Sequence, residues 1–220
     1  MPQQKAVPIG ESLKYGWNIM KQNLGFFILL LIVYYAISLI FSFIPTLFAD
    51  NLVLYILFEI AGAIVGLLLA IGLIHITLSF IDNKKPTIGE LFSQSNLLGQ
   101  AILLYILYTL IVIAGFILLI VPGIIWSIKY SQAFYLLVDK KMSATDALRK
   151  SAEVTQGVKM ELFGFGIVAS LVTLAGALAL LVGLFAAIPT TMLATAFVYR
   201  RILSQTEAGA TTVPAPPTAA

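Results

Sequence analysis

Long apolar runs separated by short polar segments dominate the first 203 residues of the chain. A transmembrane helix needs about 20 mostly apolar residues to cross a hydrocarbon core of ~30 Å. Four runs reach that length, and two shorter runs follow Pro122 and Pro189. We therefore predict an all-α fold, a polytopic membrane bundle of six transmembrane helices in one domain over residues 1–203. The predicted spans are residues 24–48, 52–81, 97–121, 124–138, 162–187 and 189–203.

Two prolines are predicted to break helices inside this bundle. Pro122 cannot donate a backbone hydrogen bond, and the adjacent Gly123 is conformationally free, so the third span should end there and the fourth begin. As a helix, residues 124–138 would be ~22 Å long, which is shorter than the hydrocarbon core. The Pro122-Gly123 turn is then either submerged in the bilayer or the short helix is covered by its neighbours. Pro189 should separate spans five and six in the same way.

The residues before the first span have an apolar stripe at helical spacing. Lysine and acidic residues fill the other positions, which indicates a helix lying in the membrane interface, where tryptophan sits at headgroup level. The alternative is a cytosolic extension of the first span. The stripe consists of Leu13, Trp17, Met20 and Leu24.

A charged segment between spans four and five predicts a cytoplasmic amphipathic helix. Ser143 and Asp146 resemble a capping box, and Gly157 is a suitable stop. Small residues on one face favour docking onto the bundle over independent membrane binding. The predicted buried face comprises Ala144, Ala147, Leu148, Ser151 and Ala152, and the predicted ion pairs are Asp146 with Lys150 and Arg149 with Glu153.

Small residues also recur within the second span. Gly62, Gly66 and Ala70 lie four residues apart and form a smooth ridge on one helix face. Such ridges pack closely against other helices in membranes. The ridge is either a dimer seam or a packing surface for another helix of the same chain, and the second interpretation is favoured.

Composition supports the membrane assignment, since 60% of the residues are hydrophobic and 10% are charged. With six spans, every Lys and Arg except Lys129 falls on one side of the membrane. By the positive-inside rule that side is cytoplasmic, so we expect a multi-pass cell-membrane protein with both termini in the cytoplasm. Residues 204–220 are rich in Ala, Thr, Gly and Pro, and they are predicted to form a disordered cytoplasmic tail.

Composition also limits the chemistry. The chain has no cysteine and one histidine, so neither a thiolate site nor an ordinary zinc site is expected. No P-loop, HExxH or GxSxG motif occurs. We therefore expect no enzymatic activity, no cofactor and no bound metal. A net charge of +3 spread over span ends does not indicate nucleic-acid binding.

Three ionisable residues interrupt the apolar runs, and such residues are candidates for function because they are costly within a bilayer. Glu59 and Lys129 each lie ~8–10 Å from the predicted outer ends of spans two and four, so we hypothesise an ion pair. The alternative places Glu59 at the outer interface and lets Lys129 extend outward. His75 lies deeper, level with Gln132, and is more often a packing residue than a proton relay. Tyr130 completes the candidate polar site.

The central sequence resembles a broad group of uncharacterised prokaryotic six-span membrane proteins. It is also similar to the membrane domain attached to some glycerophosphodiester phosphodiesterases. The resemblance covers nearly the whole chain before Ser204, and it implies a link to lipid or envelope physiology without catalysis, since no phosphodiesterase domain is present. The matching features are Pro122-Gly123, Tyr130, Ala133, Asp139, Ala147-Leu148, Ser151, Gly157 and Tyr199-Arg200-Arg201.

Two functions are consistent with these features. The first is a non-enzymatic membrane scaffold or lipid-interacting accessory, with membrane lipids and either a second copy or another membrane protein as partners. The alternative is a small-solute transporter or lipid translocator, with its site between proline-interrupted helices. A transporter should have a hydrated cavity around the candidate polar residues, whereas a scaffold should have them satisfied by each other.

Overall fold

The computed structural model describes residues 5–179 and 182–211, and all regular secondary structure within them is helical. Three short 3-10 helices, Ile44–Phe48, Ile88–Phe92 and Ser95–Leu97, connect the longer elements. The α-helices of the described residues are α1 Ile9–Gln22, α2 Leu24–Phe43, α3 Leu52–Ile81, α4 Leu98–Leu118, α5 Ile120–Lys129, α6 Ala133–Lys140, α7 Ala144–Val154, α8 Lys159–Leu178 and α9 Leu184–Thr211.

Four helical segments of the described chain are long and apolar enough to cross a membrane. Their bounds are Leu24–Phe48, Leu52–Ile81, Ile88–Leu118 and Lys159–Leu178. The first two coincide with the predicted spans. The fold is therefore a multi-helix arrangement of the kind expected of a multi-pass membrane protein.

The helix break predicted at Pro122 and Gly123 lies at Leu119 instead. The helix ends at Leu118, Leu119 is extended with φ −169° and ψ 160°, and Pro122 is already the third residue of α5. Proline is tolerated in a first turn because the backbone N–H that it lacks would have no partner there. Gly123 does not break the helix but faces Gly115 of α4 at close range. A Cβ on Gly115 would lie 2.9 Å from the Cα of Gly123. The pair permits close contact between α4 and α5.

The real interruption of predicted span four lies further along the chain. Helix α5 ends at Lys129 and α6 begins at Ala133, with a turn over residues 130–132 between them. The range 124–138 is therefore not one helix. The turn contains two of the candidate polar residues, Tyr130 and Gln132.

Pro189 does not separate two helices, because α9 runs through it from Leu184 to Thr211. It is the sixth residue of α9, so the hydrogen bond that it removes is confined to the first turns. The hydroxyls of Thr190 and Thr191 donate to the carbonyls of Ala186 and Ala187, 2.7 and 3.0 Å away. These bonds reach the two carbonyls that follow that of Phe185, the carbonyl that the missing Pro189 N–H would have paired with.

Two further boundaries also differ from prediction. Helix α8 ends at Leu178, well before the predicted end of span five at residue 187. Residues 204–211 of the predicted disordered tail continue α9. The rest of that tail, residues 212–220, lies outside the described residues.

The buried face of α1, which packs along α9, shares Met20 with the predicted stripe but otherwise consists of residues outside it. Its buried residues are Ser12, Gly16 and Met20, whereas Trp17 is 44% exposed. A Cβ on Gly16 would overlap the backbone carbonyl of Thr190. Small residues allow this close approach of two helices.

The small-residue ridge of α3 meets α2 of the same chain at one point. A Cβ on Gly62 would lie 3.4 Å from the carbonyl oxygen of Phe41, whereas one on Gly66 would meet nothing within 4 Å. The tightest contact of α3 is elsewhere, because a Cβ on Gly72 would overlap the carbonyl group of Leu91. That contact docks the 3-10 helix Ile88–Phe92 onto α3.

Helix α7 begins with the predicted cap, as the Ser143 hydroxyl accepts a 3.2 Å hydrogen bond from the Asp146 backbone N–H. Its buried face differs by one residue, since Ala152 is only half-buried and Val154 is fully buried. The ion pairs form between residues three apart, whereas a spacing of four was predicted. Either spacing brings side chains together on a helix surface. The pairs join Asp146 with Arg149 at 2.9 Å and Lys150 with Glu153 at 2.8 Å.

Candidate functional site

A cavity of about 680 Å³ lies between helices α4, α5, α8 and α9. We call it the groove. Most of its walls are apolar, and among the described residues that line it none is Asp, Glu, Lys, Arg or His. The polar side chains of the groove are Tyr108, Ser127, Ser131, Gln132, Ser170 and Thr195.

Helix α8 provides one side of the groove with residues spaced four apart. Leu162, Gly166, Ser170 and Leu174 follow each other along one face of the helix, as a period near 3.6 requires. A Cβ on Gly166 would meet nothing within 4 Å, so this glycine leaves space rather than permitting contact with another helix. The small residues at the centre of α8 therefore keep the groove open.

The turn between α5 and α6 is held by side chains from α7. The carbonyl oxygen of Lys129 accepts hydrogen bonds from the hydroxyls of Ser151 and Thr155, at 2.9 and 3.1 Å. The same Ser151 hydroxyl oxygen accepts a 3.2 Å hydrogen bond from the backbone N–H of Gln132. These contacts satisfy backbone groups that a broken helix leaves without partners. They also fix Gln132 at the edge of the groove.

Gln132 is the least satisfied polar residue of the groove. Its side chain is 3% exposed, and its Oε1 atom is buried without a hydrogen-bond partner among the described residues. The Nε2 atom donates to the Ser131 hydroxyl oxygen at 2.9 Å. Because Ser131 donates its own proton to the carbonyl of Ile128 at 2.8 Å, its oxygen can only accept from Gln132. This fixes the amide orientation, with the carbonyl oxygen as the free group.

The hydroxyls of the groove have their protons committed as well. Ser127, Ser170 and Thr195 donate to the backbone carbonyls of Ile124, Gly166 and Thr191, at 2.8, 2.8 and 2.7 Å. Each of these oxygens keeps a lone pair that can accept a hydrogen bond. The groove therefore offers hydrogen-bond acceptors within an apolar wall.

Glu59 and Lys129 do not meet. Among the described residues no ion pair joins them, because α3 packs against α2 near Glu59 whereas α5 packs against α4 and α8. The Lys129 ammonium lies 5.1 Å from the ring centroid of Tyr130. Glu59 is exposed and lines a separate cavity of about 260 Å³ with Ser38 and Ser42. Only Gln132 of the five predicted site residues lines the groove.

His75 has a partner that the sequence pattern does not reveal. Its Nε2 atom lies 3.3 Å from the carboxylate of Glu90 in the 3-10 helix Ile88–Phe92. The other Glu90 oxygen accepts from the backbone N–H of Thr87 at 2.9 Å, as part of a capping box. In the sequence, the spacing of Thr87 and Glu90 could have predicted the capping box, but not the contact with His75. The His75–Glu90 pair ties this short helix to α3 beside the Gly72 contact.

A second polar cluster joins the ends of α3 and α6 to the middle of α9. Arg200 donates to the carboxylates of Asp139 and Asp82, at 2.7 and 2.8 Å. The Tyr199 hydroxyl donates to the same Asp139 oxygen at 2.7 Å. In the sequence, Asp139 and Arg200 stand out only through the resemblance, and their pairing was not predicted. Their placement at ends of predicted spans on one membrane side was the available signal.

No protein-family model, no curated protein and no solved structure matches the chain. The resemblance to the six-span family therefore stays a prediction.

Proposed function

We propose that this chain is a non-enzymatic integral membrane protein that binds a membrane lipid in the groove and acts as a lipid-interacting accessory or scaffold. One observation carries the proposal: a cavity of about 680 Å³ with mostly apolar walls and a few neutral polar groups. Small-molecule sites usually enclose 300–1,000 Å³ and combine apolar walls with a small number of placed polar groups. A lipid has the matching combination of acyl chain and polar head.

The position of the groove supports access from the bilayer. Helix α8 is long and apolar enough to cross a membrane, and it forms one side of the groove. Leu171 and Leu174 line the groove and are 57% and 55% exposed. A lipid could therefore enter sideways between α8 and the neighbouring helices without passing through water.

The proposal includes six spans in the cell membrane with both termini in the cytoplasm. The segment α5–α6 and the first part of α9 would be the two spans beyond the four long apolar helices. The lysine and arginine distribution supports this topology. Because the chain has no cysteine, single cysteines report directly on sidedness. An impermeant maleimide added to intact cells should label Asp50→Cys and not Lys141→Cys. The reverse pattern would contradict the orientation, and labelling of both would contradict the span count.

The experiment for lipid binding is native mass spectrometry of the full chain released from detergent. We expect the wild type to retain lipid. Gly166→Leu should lose it, because the new side chain fills the groove without a steric clash at its Cβ. Gly99→Leu is the matched control, since a Cβ at Gly99 also meets nothing within 4 Å and Gly99 does not line the groove. Equal lipid retention by all three proteins would contradict the proposal.

Lipid translocation is the second candidate function. It is favoured by the turn over residues 130–132, because broken helices beside polar groups form substrate sites in many transporters. Reconstituted liposomes with fluorescent lipid in one leaflet distinguish the two functions. Exchange between leaflets that Gly166→Leu abolishes and Gly99→Leu preserves would support translocation. No exchange above empty liposomes supports the accessory function.

A further inference from the structure

Most polar groups of the groove can only accept a further hydrogen bond; the exception is the Tyr108 hydroxyl, which donates only a long hydrogen bond, of 3.5 Å, to the carbonyl of Ser127. The proton of each Ser or Thr hydroxyl discussed above is donated to a backbone carbonyl, and the Gln132 Nε2 donates to Ser131. The strongest free group is the Gln132 Oε1, a buried acceptor without a partner. Burying such an acceptor without a hydrogen bond is unfavourable, so a ligand that donates to it gains more than the contact alone. The groove is therefore suited to a ligand with a hydrogen-bond donor.

The groove also disfavours a charged head. No lysine, arginine or histidine occurs among the described residues that line it, so a phosphate would be desolvated without a cation. The nearby Lys129 ammonium lies against the Tyr130 ring, and Lys129 is not a lining residue. No carboxylate lines the groove either, so an ammonium head would have no counter-charge. An uncharged head fits this environment.

From these two features, and resting on the lipid-binding function proposed above, we propose that the groove selects an uncharged amphiphile with a free hydroxyl. The chemistry is that of a diacylglycerol, with its acyl chains along α8 and its hydroxyl donating to the Gln132 Oε1. The Ser131 and Gln132 turn receives the head. Leu162, Phe165 and Val198 contact the apolar part.

Short-chain ligands test the donor directly. Full-length protein in nanodiscs is titrated with dioctanoylglycerol, with the same lipid carrying a methyl ether in place of its hydroxyl, and with dioctanoyl phosphatidate. The ether removes the donor and keeps both acyl chains. We expect diacylglycerol to bind about 10-fold tighter than the ether, the scale of one hydrogen bond to a buried acceptor, and also tighter than phosphatidate.

The variant Gln132→Met keeps the length of the side chain and removes the acceptor. It should bind diacylglycerol and the ether equally, whereas Gln132→Glu, which keeps acceptor oxygens, should still prefer the hydroxyl. The wild-type comparison needs no variant, so the proposal is testable even if a variant does not fold. Equal binding of diacylglycerol and its ether by the wild type would overturn donor selection and leave lipid binding intact. Binding of none of the three ligands would overturn the lipid-binding function as well.

Discussion

The Ser151 hydroxyl donates a 2.9 Å hydrogen bond to the carbonyl oxygen of Lys129, across the break between α5 and α6. The Ser151 hydroxyl oxygen in turn accepts a hydrogen bond from the Gln132 backbone N–H on the far side of the break. One side chain of α7 thus replaces bonds that a continuous helix would make internally. The arrangement holds Gln132 in place at the wall of the groove.

Replacing Ser151 with alanine should destabilise the protein. The substitution leaves the Gln132 N–H and one bond of the Lys129 carbonyl unsatisfied in a fully buried position, with an expected cost of about 1–3 kcal/mol. Ser204→Ala is the control, because that exposed hydroxyl bonds only within its own helix. Unfolding free energies from SDS titration in mixed micelles measure both changes. Equal stability of the two variants would show that Ser151 does not support the break.

A methyl group at Gly72 should destabilise the docking of the 3-10 helix onto α3. The added Cβ would overlap the backbone of Leu91, which cannot move without shifting that helix, and overpacking of this kind costs about 1–3 kcal/mol or more. Gly66→Ala on the same helix has open space and should leave stability unchanged or raise it by up to about 1 kcal/mol, since alanine favours a helix interior over glycine. The same unfolding assay compares them, and a Gly72→Ala protein as stable as Gly66→Ala would contradict the close contact.

Removing the Arg200 guanidinium should weaken the contact between α9 and the ends of α3 and α6. Arg200→Met loses charge-assisted bonds to Asp139 and Asp82, and we expect a loss of about 1.5–3 kcal/mol. A double-mutant cycle of Arg200→Met with Asp139→Asn should give a large coupling free energy. The Arg149–Asp146 pair, with 77% and 48% of its side chains exposed, should give coupling of at most about 0.5 kcal/mol. Similar coupling in both cycles would contradict a structural role for Arg200.

Glu153 should make a small pH-dependent contribution to stability. Its hydrogen bond from Lys150 lowers the pKa of the Glu153 carboxyl in the folded protein. The stabilisation is therefore present above the pKa of an unfolded glutamate, about 4.3, and is lost as the pH falls through the lower folded pKa. Because the side chain is largely exposed, the effect at neutral pH is a few tenths of a kcal/mol. Glu153→Gln should be less stable than the wild type at pH 7 and low salt, and as stable as the wild type in acid. A difference in unfolding free energy that does not change with pH would contradict a contribution from the Glu153 carboxylate.

Features defined by nearby residues were predictable from the sequence. The bounds of the segment Leu52–Ile81 follow from uninterrupted apolar residues, and the start of α7 follows from Ser143 and Asp146. These signals need only hydrophobic length or a cap three residues away. The multi-helix membrane architecture was therefore accessible without tertiary information.

Features that depend on distant residues were not predictable in this way. The turn at residues 130–132 is stabilised by Ser151, a residue of a later helix. The face of α1 that packs on α9 is the one with Gly16, whose missing side chain leaves room for the backbone of Thr190. Proline positions were misleading for two reasons. Pro122 lies in the first turn of α5, where the N–H that it lacks would have no partner. Helix α9 continues through Pro189 although a hydrogen bond is lost there. The groove combines residues from four helices, and of its polar side chains the sequence analysis singled out only Gln132.

Photocrosslinking tests the central claim, that a lipid occupies the groove. A diacylglycerol with a diazirine in one acyl chain is irradiated with the full-length protein in nanodiscs, and the modified peptides are mapped by mass spectrometry. The groove predicts crosslinks concentrated in α8 between Leu162 and Leu174, competed by unlabelled diacylglycerol and lost in Gly166→Leu. Labelling spread evenly over the exposed apolar residues of α2, α3 and α8, without competition, would contradict it.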